Sequence, residues 1–229
     1  MDNEFILKAR DLTVELDHQI ILDKLSFSVK KGDIVSILGP NGAGKTVLLK
    51  CLLGLLPYEG EILWKKDIKI GYVPQRLPFI KDIPLSVGEF FSLKRASNQV
   101  IDQIMSAVGL NHGFLVHRMS DLSSGQFQRL LIAWSLVGKP DVLLFGEPTT
   151  GIDIGGEETI YTLLDTLKKD WLLTMLLVTH DLNVVYQFSN QVICLNKKAV
   201  CIGPAKNVLT PESLQQLYGG GIKYYLHKH

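Results

Sequence analysis

The sequence has few cysteines, no long apolar run and almost no net charge, and each absence excludes a class of protein. Cys51, Cys194 and Cys201 form neither a CxxC pair nor a Cys/His zinc pattern, which argues against a disulfide framework and a structural metal site. A membrane helix needs about 20 consecutive apolar residues, and the apolar stretches of this chain are far shorter. A formal net charge of +1 gives no sign of nucleic-acid binding. We therefore expect a soluble cytoplasmic chain without a nucleic-acid partner.

The cysteines are expected to be reduced thiols in a protein core. Residues 191–203 look like a β-hairpin whose turn at 196–199 would set Cys194 roughly opposite Cys201. Even so, two buried thiols are the preferred interpretation of this pair.

Length and composition favour one globular domain, residues 1–229. The chain is 46% hydrophobic and 21% charged, enough for one sizeable core with a small inserted subdomain. Continuous apolar runs at residues 33–39, 142–145 and 173–179 are typical of strands covered on both faces. Helical patterns follow the first run and separate the second from the third. This alternation predicts an α/β fold with a parallel sheet.

The middle of the chain has a different pattern. Ser86 and Glu89 form a capping box, which marks the start of a helix. A further helical face follows and consists of Val100, Ile101, Ile104, Met105 and Val108. We therefore predict an inserted helical subdomain at residues 86–137, with residues 1–85 and 138–229 forming the core.

A phosphate-binding pattern, GxxxxGK[ST], is present as GPNGAGKT between a buried strand and a helix. Its glycines allow backbone N–H groups to close around phosphates, and the helix N-terminus adds a partial positive charge. Lys45 is expected to reach the β- and γ-phosphates, and Thr46 to coordinate Mg²⁺ through its hydroxyl. The predicted nucleotide-binding residues of this loop are Gly39, Pro40, Asn41, Gly42, Ala43, Gly44, Lys45 and Thr46.

A second motif, DLSSGQFQRLLIAWSL at residues 121–136, decides the family. Apolar residues recur in it at helical spacing and predict a helix that begins near residue 123: Phe127, Leu130, Leu131 and Trp134. The segment resembles the signature motif of ATP-binding-cassette (ABC) ATPases, usually LSGGQ. The resemblance implies that four residues of one subunit face the γ-phosphate held by the other: Ser123, Ser124, Gly125 and Gln126.

The resemblance covers nearly the whole chain and implies a particular architecture. It is a P-loop NTPase core with a mainly parallel sheet, an N-terminal antiparallel β part and the inserted helical subdomain. Two chains would meet head to tail and enclose two ATP molecules, with Mg²⁺ as the second cofactor. ATP binding would close this homodimer, and hydrolysis would reopen it.

Four further positions match functional residues of the family. Gln75 matches the glutamine that senses Mg²⁺ and the membrane partner, and Glu147 matches the carboxylate that polarises the attacking water. Asp153 resembles the residue that communicates across the dimer, and His180 the switch histidine that contacts the γ-phosphate. The implied catalytic residues are therefore Glu147, His180 and Gln75. Thr46 and Gln75 are the implied ligands of Mg²⁺.

The position of the adenine platform departs from the family pattern. Many members stack the base on an aromatic residue near the first strand, where this chain has Leu16. His18 is the alternative candidate for that contact. We expect weaker base stacking or looser nucleotide selectivity than an aromatic platform would give.

Gly146 is the larger departure from the family. The segment KPDVLLFGEP aligns without a gap on the family's strand ending in Asp-Glu-Pro, so Gly146 stands where an aspartate normally holds Mg²⁺. Loss of an outer-shell group of this kind commonly costs about 10–100-fold in metal affinity. Because Glu147 and Thr46 remain, we expect impaired hydrolysis rather than none. The substitution Gly146→Asp is expected to raise hydrolysis and to lower the Mg²⁺ requirement.

Two stretches, residues 68–91 and 207–229, resemble the ATPase subunits of bacterial zinc or manganese importers. The resemblance implies a subunit on the cytoplasmic face of the cell membrane, docked under a membrane permease that an extracytoplasmic binding protein supplies. Thr210 predicts the start of a C-terminal helix in the second stretch. His227 and His229 are interpreted as an exposed tail, with metal binding as the alternative.

Two other functions stay open at this stage. Gly146 motivates a degenerate nucleotide-binding module in which ATP drives closure with little or no hydrolysis. A non-transport cytosolic ABC ATPase is less favoured, because the chain holds a single cassette and no long coiled coil. The preferred prediction is an ATP-hydrolysing subunit that powers metal import.

Overall fold

The structure of the chain is a computed structural model that describes the following residues: 4–75, 77, 83–148 and 154–219. It divides into two compact units. The first unit consists of residues 1–66 and 176–229, and the second of residues 67–175.

Strands and helices alternate along much of the chain. The strands are β1 (Phe5–Leu16), β2 (Gln19–Lys30), β3 (Ile34–Leu38), β4 (Glu59–Trp64), β5 (Ile70–Val73), β6 (Val142–Gly146), β7 (Thr174–Thr179), β8 (Gln191–Asn196) and β9 (Lys198–Gly203). The helices are α1 (Lys45–Leu52), α2 (Val87–Ser92), α3 (Asn98–Ala107), α4 (Ser124–Leu136), α5 (Ile154–Trp171), α6 (Leu182–Phe188), α7 (Ala205–Val208) and α8 (Pro211–Tyr218). Short 3₁₀ helices lie at His112–Val116 and Met119–Asp121.

The first unit contains an antiparallel sheet and a mainly parallel one. In the antiparallel sheet the strand order is β2-β1-β4. In the other sheet β7, β3, β8 and β9 are neighbours in that order, with β3 parallel to β8 and β9 antiparallel to β8. All residues of β3 are buried, as the apolar run at residues 33–39 predicts. Its carboxyl end leads directly toward α1.

The second unit pairs β5 with β6 in parallel and adds helices α2 to α5. The capping box at the start of α2 is confirmed, because Ser86 Oγ accepts from the Glu89 N–H at 3.2 Å and the Ser86 N–H donates to Glu89 at 2.8 Å. The predicted insertion, residues 86–137, lies wholly within this unit and holds α2, α3, α4 and the 3₁₀ helices. Its boundaries stay a prediction. The predicted fold class, α/β with mainly parallel strands and an antiparallel part, is confirmed.

The cysteine pair in the β8–β9 hairpin differs from the expectation. The predicted pairing of Cys194 with Cys201 is confirmed by the strand register, but the structure joins the two in a disulfide instead of leaving reduced thiols. The physical reason is the antiparallel register, which brings the two Cα atoms to 4.8 Å, a separation that a disulfide spans. Cys51 is a buried free thiol, as predicted. Burial raises the pKa of the Cys51 thiol, which keeps it protonated.

Candidate nucleotide site

The predicted phosphate loop connects β3 to α1 in the first unit. Gly44 is the N-cap residue of α1, and its φ of 95° is a left-handed conformation that favours glycine. A Cβ at this position would lie 2.7 Å from Cδ2 of Leu22 and 3.0 Å from the carbonyl oxygen of Ile21. The loop therefore enters its helix through a shape that only glycine permits.

Lys45 is buried at the start of α1 and spans the loop. Its Nζ donates to the carbonyl oxygen of Gly39 at 2.8 Å and to that of Pro40 at 2.9 Å. A buried ammonium needs such partners, because a charge without them is costly to desolvate. Thr46 is exposed beside it. The lysine side chain thus lies along the loop whose backbone would bind the phosphates.

The turn between β8 and β9 braces the phosphate loop. The N–H of Lys197 donates to the carbonyl oxygen of Ala43 at 3.1 Å, and the N–H of Asp23 donates to the carbonyl oxygen of Lys197 at 2.9 Å. At the other end of the loop, a Cβ on Gly39 would lie only 2.1 Å from the carbonyl oxygen of Leu195. The sequence does not reveal this brace, because backbone contacts between distant segments leave no side-chain pattern.

The predicted base platform lies at the turn between β1 and β2. Leu16 pairs with Gln19 in the register, so Asp17 and His18 form a two-residue turn with φ of 50° and 60°. Leu16 is half-buried, and the His18 side chain is fully exposed. Leu16 therefore presents an apolar surface that lacks an aromatic face, and its role toward adenine stays a prediction.

His180 follows β7 directly and is exposed. The turn around it is held by Thr179 Oγ1, which accepts from the Asp181 N–H at 3.1 Å, and by Asp181, which caps α6 by accepting from the Asn183 N–H at 2.8 Å. His180 therefore lies at the end of a buried strand, in the same unit as Lys45.

Gln75 and Glu147 lie together in the second unit. Val73 is opposite Phe145 in the parallel register of β5 and β6, so the two polar residues follow the strands at equivalent distances. The Nε2 of Gln75 donates to Oε2 of Glu147 at 2.5 Å. Glu147 has a φ of 55°, a conformation uncommon for residues other than glycine. The structure thus brings two predicted catalytic residues into direct contact.

Gly146 is buried at the end of β6, and the backbone of Gln75 lies against it. A Cβ at residue 146 would lie 2.9 Å from the backbone nitrogen of Gln75 and 3.4 Å from its Cβ. An aspartate would therefore add bulk where another backbone already lies. The expectation that glycine at residue 146 only removes a carboxylate is therefore corrected. Gly146→Asp would restore the carboxylate but would also displace Gln75.

The signature residues lie at the start of α4, as predicted. Ser123 is the N-cap residue, and its Oγ accepts from the Gln126 N–H at 3.2 Å while its N–H donates to Gln126 Oε1 at 2.9 Å. This capping box stabilises the helix by itself. The Ser123 hydroxyl still has its proton to donate, and the helix N-terminus carries partial positive charge. Ser124 and Gly125 form the first turn, and contact with a phosphate stays a prediction.

Three predicted residues lie outside the described part of the chain: Asp153, His227 and His229. Among the residues that the structure does describe, no group of three or more His, Cys, Asp or Glu side chains could hold a metal ion. Over the same ranges, no helix has the length and apolar character needed to cross a membrane.

Comparison with known proteins relates this chain to a family. The sequence profile of the ABC transporter family matches residues 22–150. The zinc import ATP-binding protein ZnuC of Rickettsia conorii is 36% identical over 227 residues, which cover 98% of this chain and 97% of the relative. ZnuC of Pasteurella multocida is 33% identical, with 98% of this chain and 87% of the relative covered.

A solved structure agrees with these sequence relatives. The ATP-binding cassette MJ1267 of an ABC transporter, in its ADP conformation, superposes with a TM-score of 0.81 over 95% of this chain and 99% of that chain. It is 24% identical in sequence, so this likeness concerns the fold alone. The superposition supports the architecture that the strand and helix pattern predicted.

Proposed function

Because the chain belongs to the ABC transporter family and is an ATPase of that family, we propose that it is the ATP-hydrolysing subunit of an importer for a divalent metal, zinc or manganese. The observation that carries the proposal is the phosphate loop, in which buried Lys45 spans the loop to Gly39 and Pro40. The cargo is suggested by the relatives: both are zinc import ATP-binding proteins, and the match covers most of the length of each.

In the proposed site, the loop backbone from Gly39 to Gly44 cradles the phosphates of ATP. Lys45 neutralises charge on the β- and γ-phosphates, and the α1 N-terminus adds its partial positive charge. The half-buried Leu16 provides an apolar surface for the base, with the exposed His18 beside it in sequence. Nucleotide affinity then comes chiefly from the phosphates.

Thr46 and Gln75 have the donor chemistry that suits a Mg²⁺ ion accompanying ATP. Thr46 is exposed and offers a hydroxyl oxygen, and Gln75 offers its amide oxygen because its amide nitrogen already donates to Glu147. Oxygen ligands from protein and phosphate suit Mg²⁺. An ion held by these residues would supply positive charge to stabilise the phosphates during hydrolysis.

Three side chains are proposed to act in hydrolysis. Glu147 accepts a hydrogen bond from the attacking water and polarises it. Gln75 orients the groups around Glu147, and His180 contacts the γ-phosphate. Gly146 leaves the first of these groups in place. The proposed reaction is therefore ATP hydrolysis with a lower affinity for Mg²⁺ than an aspartate at residue 146 would give.

The proposed working form is a homodimer docked under a membrane permease on the cytoplasmic face of the cell membrane. Residues 123–126 at the start of α4 would face the γ-phosphate bound by the second copy, and Asp153 would communicate across the dimer. An extracytoplasmic binding protein would deliver the metal to the permease. This arrangement allows ATP binding to close the dimer and hydrolysis to reopen it.

Metal uptake in the host organism tests the proposal. Deletion of the gene should lower uptake of radioactive zinc or manganese from metal-poor medium, and the unmodified gene should restore it. A gene carrying Lys45→Ala should not. Unchanged uptake of both metals after deletion would contradict the importer function, while a loss of only one metal identifies the cargo.

A further inference from the structure

The strand register places Gln75 beside Gly146 and Glu147. Val73 on β5 is paired with Phe145 on β6, and the chain continues for two residues from each partner to reach Gln75 and Glu147. The backbone of Gln75 then lies against Gly146, and its side chain reaches the neighbouring carboxylate. Two adjacent residues of one strand end are therefore engaged by a single residue of the other.

This close approach depends on the missing side chain at residue 146. A Cβ there would stand 2.9 Å from the Gln75 backbone nitrogen, closer than packed carbon and nitrogen atoms lie. The conflicting atom belongs to the backbone, so it cannot turn aside as the end of a long side chain could. Any larger residue at 146 must push the Gln75 segment away from the strand end.

The contact that would be lost is the one that holds Glu147. Gln75 Nε2 donates to Glu147 Oε2 at 2.5 Å, and an amide donor to a carboxylate restricts the direction in which the carboxylate points. Glu147 is half-buried and has left-handed backbone geometry, with a φ of 55°. Its side chain direction therefore depends on the local neighbours, of which Gln75 is one.

We propose that Gln75 is the positioning residue for Glu147 in this chain and that Gly146 is the residue that makes this positioning geometrically allowed. The inference rests on the proposed function, because positioning matters only if Glu147 polarises water. Gly146 then has a role of its own: it exchanges a carboxylate near the metal for a backbone contact that brings Gln75 onto Glu147. The effect on hydrolysis passes through a side chain rather than through loss of charge alone.

Gly146→Ala tests the inference, since it adds the Cβ without adding a carboxylate. The φ of Gly146 lies outside the left-handed region, so alanine suits its backbone and only the contact with Gln75 is strained. We expect kcat for ATP hydrolysis to fall about 10-fold, the lower end of what a hydrogen bond to a charged group contributes, because this bond is exposed. At saturating Mg²⁺, KM for ATP should stay unchanged within about twofold, since ground-state binding of ATP does not use the hydrogen bond between Gln75 and Glu147.

Gly138→Ala is the matched control. Gly138 has no atom within 4 Å of a built Cβ and no left-handed φ, so alanine there adds the same atom without a clash. Its kcat should equal that of the unmodified chain. An equal loss in both alanine variants would overturn the inference.

A second variant separates positioning from general damage to the strand. Gln75→Met keeps the length of an exposed side chain and removes its amide donor, and it is assayed at saturating Mg²⁺ because the amide oxygen is lost as well. It should lower kcat, and the addition of Gly146→Ala to Gln75→Met should then cause little further loss, because both changes remove the same contact. If the two losses multiply instead, Gly146 acts independently of Gln75 and the inference is wrong.

A crystal structure of nucleotide-free Gly146→Ala gives a readout that does not depend on activity. We expect Gln75 Nε2 and Glu147 Oε2 to lie beyond hydrogen-bond distance. A retained bond, or a lost bond with unchanged kcat, would overturn the inference. If the unmodified chain binds ATP without hydrolysing it, the proposed function fails rather than the contact between Gly146 and Gln75, which the crystal structure still tests.

Discussion

The phosphate loop and the end of β6 are held in different ways. The loop retains every residue of its motif and is braced by backbone contacts, such as the Lys197 N–H bonded to Ala43 at 3.1 Å. The end of β6 has glycine in place of the expected carboxylate, and its remaining acid, Glu147, is held by an exposed side-chain contact with Gln75. One region is secured by the fold, and the other by a side chain.

The difference implies that ATP binding and ATP hydrolysis respond to different changes in this chain. Backbone hydrogen bonds do not depend on the identity of the side chains and persist under most substitutions, whereas an exposed side-chain hydrogen bond is lost with a single one. Nucleotide affinity should therefore resist changes around Gly146. Turnover should be sensitive to them.

Lys45→Ala should have the largest effect, the loss of ATP binding at the phosphate loop. The substitution deletes the only ammonium of the motif, so ATP binding measured by calorimetry should fall below detection. Lys50→Ala, an exposed lysine on the same helix, is the matched control and should bind ATP normally. Undiminished affinity in Lys45→Ala would show that the loop is not the nucleotide site.

Glu147→Gln should greatly slow ATP hydrolysis while leaving ATP binding intact. Loss of a general base typically lowers the rate by about 10²–10⁴-fold. Because ATP then persists, the variant should form a stable ATP-dependent dimer, which light scattering would detect. A variant that remains monomeric with saturating ATP at every protein concentration would contradict the two-copy arrangement for the isolated subunit.

Ser86→Ala should have the smallest effect, and it sharpens the comparison because it touches neither region. The loss of this N-cap should lower the free energy of unfolding by about 1 kcal/mol, measured by denaturant titration. ATP affinity and kcat should not change. A loss of hydrolysis comparable to that of Gly146→Ala would mean that turnover follows general stability.

The same cap gives a pH dependence. Hydrogen bonds from the Ser86 backbone N–H and then from its hydroxyl lower the pKa of Glu89 below the ordinary value of 4.5. A carboxyl whose pKa is lower in the folded state stabilises the fold above its unfolded pKa and loses that contribution as pH falls through the folded pKa. The stability difference between the parent and Ser86→Ala should therefore narrow below pH 4.5. A constant difference would show that the hydroxyl does not act through Glu89.

Local features of this structure could be predicted from the sequence. Ser86 and Ser123 each cap a helix together with a residue three positions later, and Thr210 caps a helix that begins with a proline; all three caps are present in the structure. The buried strands also follow from continuous apolar runs. In each case the interacting residues are close along the chain, so their spacing alone determines the contact.

The contacts that distinguish this chain could not be predicted in the same way. Gln75 meets Gly146 and Glu147 only because two strands separated by a helical segment align in register. The brace of Lys197 on Ala43 uses backbone atoms, which every residue type provides. The cysteine pair was predicted to be opposite but not bonded, since spacing gives the register and not the oxidation state.

A single-turnover experiment tests the central claim that this chain hydrolyses ATP although Gly146 stands in place of the carboxylate. The unmodified protein, in excess over ATP labelled in the γ-phosphate, would be mixed with Mg²⁺ and followed for release of labelled phosphate. We expect complete release at a slow rate that rises with added Mg²⁺, and no release from Glu147→Gln under the same conditions. Bound ATP that stays intact at every Mg²⁺ concentration would contradict the account and identify the chain as a nucleotide-binding module without turnover.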